Sequence, residues 1–411
     1  MKIAIFTDFY EPWAVGGIIS SIKAQKTELE KLGHEVTIFC PGVNSRDKSI
    51  VTVPVHEKIR ISGAMISKRP SLVEEYVLSK FPDFASFDIV HVQYEASCSI
   101  AGVRLAKKFN LPLVQTMHGR EDIAIATNVP YPLKTLTAGL LNAMHKNCLP
   151  HSNKVKRDKF QATSVARVKM WNLMTNHAEQ ADAVTAPSGH FARKLEHYGV
   201  SKHIQPVSNG IDDALTEEPV EERKLEDGGV LKMIWNSRLS KEKRILPFLQ
   251  ALTMLKRPYI LYVYGAGNQL KEAKRFAKKH NLKVKFYGEV KREKIFERMK
   301  EAHLEVLASY NFDVQPMTLL EAQALGLPVF FCDPAMTEIV PMGSYVFANG
   351  PQAAAMQIAL DDLPASQINK MSKIMMAHRK DVAQSKQAQK MLKVYKEAIA
   401  QHEQAESIKT S

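Results

Sequence analysis

Cysteine is scarce in this 411-residue chain, and the four present, Cys40, Cys98, Cys148 and Cys332, lie too far apart to form a disulfide framework or a zinc pattern. Long apolar runs are absent as well. With no uninterrupted apolar stretch of about 18 residues, a membrane-spanning helix is not expected. The opening MKIAIFTDFY enters an apolar run directly and shows no secretory cleavage signal, so the expected compartment is a reducing cytoplasm. No D-x-D triplet is available to hold a divalent ion, and no metal site is expected. Gly265-Ala266-Gly267 lacks the third glycine of a dinucleotide fingerprint, which argues against nicotinamide binding. RRM and KH signatures are missing too, so nucleic acid is not an expected partner.

What the chain has in excess is positive charge. Lysine and arginine number 56 against 43 acids, giving +13 and a pI near 9.3, a balance that favours anionic partners. The excess is concentrated. Lys134, Lys146, Lys154, Lys156, Arg157, Lys159, Arg167 and Lys169 face the single acid Asp158, with Leu133, Leu136, Leu140, Leu141 and Trp171 interleaved. Cations beside apolar anchors suit an anionic membrane surface, each basic residue contributing roughly 1 kcal/mol. The candidates for that contact are Lys154, Lys156, Arg157, Lys159 and Trp171. The competing reading is a solvated basic loop.

Apolar runs alternate with amphipathic stretches in two successive sets. In the first, Lys2–Thr7, Glu35–Cys40, Asp88–Gln93, Pro112–Met117, Ala183–Ala186 and His203–Val207 read as strands, with helices at Ile18–Lys31 and Ile100–Phe109. In the second, which follows the acidic stretch Glu217–Gly229, the strands are Leu231–Trp235, Tyr259–Tyr264, Lys283–Phe286, Leu304–Ala308 and Val329–Cys332. This alternation predicts an α/β fold of two Rossmann-like, doubly wound domains facing across a cleft. The expected divisions are residues 1–210, residues 211–390, and a C-terminal helix and tail over 391–411 that packs back toward the first domain. Ligands of such sheets bind beyond the carboxyl ends of the strands.

The candidate site residues cluster at those ends. In SYNFDVQPMTLLEAQALGLP, Asp313 and Glu321 stand eight apart around a strand-to-helix junction, and the helix starting near Pro316 offers free N–H groups to an anion. Arg238 and Lys243 follow a strand in NSRLSKEKR; a forked guanidinium and a compact ammonium suit a diphosphate. Gly16 and Gly17 precede a helix, where a backbone without side chains can approach a phosphate. Gly265, Gly267 and Gly288 mark turns after two further strands. His118 ends the strand PLVQTMH, ahead of Arg120, Glu121 and Asp122.

Taken together, these strings resemble the retaining GT-B glycosyltransferases of family four, from Lys2 to about residue 390 and in the family's motif order. The resemblance rests on the acidic-x7-acidic pair, the arginine with a lysine five on in R-L-S-x-E-K, the histidine, Pro187-Ser188 and Asn209-Gly210-Ile211-Asp212. DVQPMTLLE is similar to a subgroup known from bacterial glucosyltransferases acting on diacylglycerol. Two departures stand out: Asp313 replaces the usual glutamate, and Pro316 the usual glycine.

The resemblance implies transfer of a hexose, with retention and without metal, from a nucleoside diphosphate sugar. UDP-glucose is the first choice, with GDP-mannose, UDP-galactose and UDP-N-acetylglucosamine compatible. It implies donor contacts from Gly16, Gly17, Gly265, Gly267, Gly288, Gln315, Pro316, Met317, Thr318 and Glu321, and catalytic roles for His118, Asp313, Arg238 and Lys243. Arg120, Glu121 and Asp122 are the acceptor candidates. A lipid acceptor at the inner face of the cell membrane is favoured over a soluble or protein acceptor and over a noncatalytic accessory protein. Oligomeric state stays open.

Overall fold

The computed structural model describes residues 1–10, 17–42, 45–61 and 64–410, and the chain divides into two compact units, Met1–Ser208 with Gln387–Ser411, and Asn209–Lys386. The first boundary falls within a few residues of the expected one, but the chain leaves the second unit at Lys386 rather than at 390.

The sheet of the first unit contains β1 (Lys2–Phe6), β2 (Glu35–Pro41), β3 (Ile50–Val53), β6 (Ile89–Val92), β7 (Leu113–Thr116), β8 (Ala183–Ala186) and β9 (Ile204–Pro206). A separate antiparallel pair, β4 (Val55–Ile61) and β5 (Ala64–Ser67), lies between β3 and β6 in the chain. The parallel order β3-β2-β1-β6-β7-β8-β9 reverses direction between β1 and β6. Central strands of such a sheet are covered on both faces and so read as apolar runs. β6 (IVHV) and β7 (LVQT) are buried throughout, and their polar side chains, His91, Gln115 and Thr116, are buried with them.

Asp8, just beyond β1, caps the helix Ser97–Lys108 by accepting from the N–H groups of Ala96, Cys98 and Ser99 at 3.1, 2.8 and 3.2 Å. An acid there meets donors that the first helical turn cannot satisfy itself. The C-terminal helix Gln384–Thr410 buries Ala388, Met391, Val394, Tyr395 and Ala398 at helical spacing against Ile3, Ile5, Ile22 and Ile38, so the β1–β2 core is completed by the far end of the sequence.

In the second unit, β10 (Leu231–Asn236), β11 (Tyr259–Tyr264), β12 (Val284–Gly288), β13 (Leu304–Leu307), β14 (Val329–Phe331) and β15 (Tyr345–Phe347) run in the parallel order β12-β11-β10-β13-β14-β15. Successive side chains of a strand point to opposite faces. Accordingly Met233 and Trp235 join one apolar cluster and Ile234 the other, with helices over both. The strand order reverses between β10 and β13. Loops leaving neighbouring strands at such a reversal diverge to opposite faces and open a crevice at the carboxyl ends.

Candidate functional site

The two loops at the β10–β13 reversal carry most of the second unit's candidate residues. After β10 the chain passes Ser237 and Arg238 into the short helical turn Lys241–Lys243; after β13 it runs from Ala308 to the helix Met317–Ala324. Asn311, at φ +53°, turns this second loop and donates its N–H to Asp333 at 2.5 Å, which aims Phe312 and Asp313. Lys243 Nζ then meets Asp313 Oδ1 at 2.6 Å and lies 5.4 Å from the centre of the Phe312 ring. Both side chains of this pair are only 11% exposed, and the Ser309 hydroxyl donates to the other Asp313 oxygen. Arg238 differs: its side chain is 64% exposed, with Glu242 at 3.6 Å. The sequence places the two cations together, but the fold buries one and leaves the other exposed.

Glycines let a neighbouring loop lie against this one. A side-chain carbon on Gly265 would stand 2.3 Å from the Ser237 carbonyl, and one on Gly267 would stand 2.3 Å from that of Leu239. The contact is laced by Leu239 N–H donating to Ala266 and Gln269 N–H donating to Leu239, both at 2.9 Å. Gly288 ends β12 at φ +72° and accepts from the Gly265 N–H at 2.8 Å.

Glu321, on the first turns of Met317–Ala324, is buried. It accepts from the Asn236 amide at 3.1 Å and pairs with Arg292. Burial pushes its carboxyl up, and Arg292 and Asn236 oppose the shift. The Gln315 amide oxygen accepts from Asn209 N–H at 2.7 Å, and Pro316 caps the helix start with extended backbone. Thr318 corrects its expected role. Its hydroxyl is buried and donates to Glu305 at 2.6 Å, so only its backbone remains toward the helix start.

Two of these residues were not expected from sequence. Arg292 sits in the cationic run KREK with nothing local to mark it. Glu305, by contrast, is an acid inside the apolar strand LEVL, and that mismatch was a legible signal. It accepts from Thr318 and, at 3.3 Å, from Asn236 N–H, while its second oxygen has no partner among the described residues. Burial first, and Glu321 nearby, raise its carboxyl well above the usual range. Its folded pKa thus exceeds the unfolded one, so stability falls as pH rises through the interval between them. Glu305→Gln, which never ionises, should gain over wild type from about pH 5 upward. Melting curves across pH will show a widening difference; one independent of pH would mean that Glu305 is ionised in the fold.

In the first unit, Gly17 opens the helix Gly17–Lys31, while Gly16 lies outside the described residues. His118, just past β7, is buried; its Nε2 meets the Gln93 amide oxygen at 2.5 Å, and burial holds its pKa down to about 4. Arg120 and Asp122 are withdrawn as acceptor contacts. Arg120 grips Asp122 through two bonds of 2.8 and 3.0 Å, Arg167 reaches the same carboxylate at 2.9 and 2.5 Å, and Asp122 is fully buried. Charges so removed from water persist only when paired with one another. Glu121 stays half-buried; burial and Asp122 raise its carboxyl while the Tyr94 hydroxyl opposes them.

Trp171 is likewise corrected as a membrane candidate. It is fully buried between Tyr198, at 4.3 Å between ring centres, and the Arg120 guanidinium, at 5.3 Å. The neighbouring apolar residues do face outward. The helix Leu133–Cys148 presents Leu133, Leu136, Leu140 and Met144, each more than half exposed, at a spacing that puts them on one stripe. Lys154, Lys156, Arg157, Lys159 and Phe160 are exposed in the following segment. Beneath them His145 links His151 and His177 at 2.7 and 2.9 Å and ties this helix to the helix Val165–Ala178. Among the described residues no helix is long and apolar enough to cross a membrane.

Residues 15–215 match the family described as Glycosyltransferase Family 4, and residues 217–381 the one described as Glycosyl transferases group 1. Alpha-monoglucosyldiacylglycerol synthase of Streptococcus pneumoniae is 27% identical, covering 80% of this chain and 70% of that protein. Its namesake in Acholeplasma laidlawii is 26% identical over 80% and 79%. Among solved structures, Anabaena HepE in complex with UDP superposes with a TM-score of 0.67 at 14% identity, covering 97% of this chain and 100% of its own.

Proposed function

The chain belongs to the glycosyltransferases whose two halves those family models describe, with the α/β GT-B fold, and from that premise we propose that it glucosylates a membrane lipid. The donor is UDP-glucose, the acceptor a lipid such as diacylglycerol, and the anomeric configuration is retained. The observation that carries the lipid acceptor is the exposed stripe Leu133–Met144 beside Lys154, Lys156, Arg157 and Lys159, in a chain whose relatives are named for diacylglycerol. HepE has been solved with UDP and with UDP-glucose, which supports a nucleotide-sugar donor. The protein then works as a peripheral enzyme at the cytoplasmic face of the membrane.

In this reading Arg238, Lys243 and the N–H groups at the start of Met317–Ala324 take the diphosphate, Glu321 the ribose hydroxyls, and Asp313 the sugar near its anomeric carbon. The acceptor oxygen forms its bond to that carbon as the carbon–phosphate oxygen bond breaks, and the acceptor proton passes to the departing phosphate oxygen. Preorganised cations and N–H donors stabilise the charge developing on the diphosphate, so the proposed transfer needs no metal. EDTA should leave the rate largely intact.

Arg238 is the exposed member of the cation pair, so Arg238→Ala should leave stability unchanged and weaken donor binding about tenfold, or roughly 1.4 kcal/mol. Titration with UDP, paired with a melting curve, checks both halves of that expectation. The function itself is tested by incubating the protein with UDP-glucose, and separately with GDP-mannose, UDP-galactose and UDP-N-acetylglucosamine, on vesicles containing diacylglycerol. Glucolipid formed from UDP-glucose supports the proposal. Turnover only with water-soluble acceptors would move the acceptor off the membrane, and no donor consumption at all would favour a noncatalytic protein.

A further inference from the structure

We propose that Tyr395, on the C-terminal helix, is a positioning residue for His118: acting through Gln25 and Gln93, it holds the imidazole in the Nε2–H tautomer and leaves Nδ1 as a bare acceptor for a sugar hydroxyl. A primary amide donates at one end and accepts at the other, so a direction set at one end of a chain of amides is carried to the next. Gln25 Nε2 donates to the Tyr395 oxygen at 3.1 Å, and Gln93 Nε2 donates to Gln25 Oε1 at 2.9 Å. The Gln93 oxygen is thereby turned to His118 Nε2 at 2.5 Å, and that nitrogen must carry the proton.

The same hydroxyl feeds a second branch. Having accepted from Gln25, Tyr395 gives its own proton to His91 Nδ1 at 2.7 Å; His91 Nε2 then donates to Thr116, and Thr116 to Thr185, each at 2.7 Å. The branches also meet: Gln93 Nε2 lies 3.4 Å from His91 Nδ1, and donation to that bare nitrogen favours the same direction of the Gln93 amide. Gln25, His91, Gln93 and Tyr395 are each no more than 2% exposed, and a buried network of this kind is costly to leave part-satisfied.

At the end of the first branch, His118 Nδ1 has no partner among the described residues. Burial keeps His118 neutral near neutral pH, so the ring has a lone pair to offer and no second proton to give. It suits a ligand hydroxyl that donates. It does not suit protonation of a departing phosphate.

The inference rests on the preceding reading only in taking the ligand to be a sugar, because the tautomer belongs to the protein without ligand. It is tested on the full chain labelled with ¹⁵N-histidine, by long-range proton–nitrogen correlation, with His118 assigned from a His118→Asn variant. Wild type should show His118 as the Nε2–H tautomer. Tyr395→Phe, which keeps the ring, and Gln25→Met, which breaks the link without touching Tyr395, should both give a mixture of tautomers. In both, kcat/KM for UDP-glucose should fall about tenfold. A protonated Nδ1 in wild type, or a His118 tautomer unchanged in the variants, would overturn the proposal. Should Tyr395→Phe fail to fold, wild type and Gln25→Met decide it. Should every donor prove inert while the tautomers behave as stated, the wiring stands and the sugar reading falls.

Discussion

Lys243→Met is expected to lower the rate of transfer by two to three orders of magnitude, about 3–4 kcal/mol of transition-state stabilisation. The size follows from the surroundings of the ammonium. Held 2.6 Å from Asp313 with about a tenth of either side chain exposed, Lys243 is less screened than a surface cation. Methionine fills most of its volume but removes the charge that balances the Asp313 carboxylate, so the incoming diphosphate would lose an attraction and meet a repulsion. The loss should therefore exceed that in Arg238→Ala.

A double variant separates structure from catalysis. In Lys243→Met with Asp313→Asn, no charge is left uncompensated, so much of the stability lost in Lys243→Met should return. Transfer should not. Coupling between residues in contact is what such a cycle measures, and here melting temperature and turnover should give couplings of different size. Donor affinity and turnover within twofold of wild type in Lys243→Met would remove the pair from the chemistry. Recovery of turnover together with stability in the double variant would make it a structural ion pair.

Much of the scaffold was legible because doubly covered parallel strands must be apolar. KIAIF, LYVY and LEVL announce themselves, and their order along the chain implies the alternation with helices. Edge elements carried less signal. Ile50–Val53, which runs into Pro54, and Tyr345–Phe347 both lie outside the expected strands. At the candidate site, the sequence pairs Lys243 with Arg238 and Asp313 with Glu321, whereas the fold puts Lys243 and Asp313 in contact. Arg292 was invisible because its pairing with Glu321 spans a strand and a loop that no local pattern encodes. Trp171 was misread for an instructive reason. A tryptophan among cations looks interfacial, yet Ala166, Met170, Trp171 and Met174 recur at helical spacing and form the buried side of Val165–Ala178. Apolar residues lie all round this helix, Val165 and Val168 included, so its local pattern alone does not mark which side is inside. The same lesson applies to Arg120 and Asp122, which are two residues apart in a polar string but close on each other and on Arg167.

With Trp171 inside the fold, the proposed membrane docking rests on the stripe Leu133, Leu136, Leu140 and Met144 and on the exposed cations, and each part has its own signature. Changing Lys154, Lys156, Arg157 and Lys159 to glutamine removes about 1 kcal/mol per residue of attraction to anionic lipid, so vesicle partitioning should fall by up to about a thousandfold. Wild-type binding should itself weaken with salt, as the screening length shrinks from about 10 Å at 0.1 M to about 3 Å at 1 M. Leu136→Ser with Leu140→Ser should lose binding to anionic and neutral vesicles alike, since insertion of apolar area does not depend on headgroup charge. Neither set touches the loops after β10 and β13, so UDP titration should be unchanged in both. Flotation on anionic and neutral vesicles, run beside that titration, separates the parts. If the charge variant floats as wild type does on anionic vesicles, the cations have no membrane role. If wild type floats on neither, the exposed stripe needs another partner, and the acceptor reading shifts to a soluble molecule.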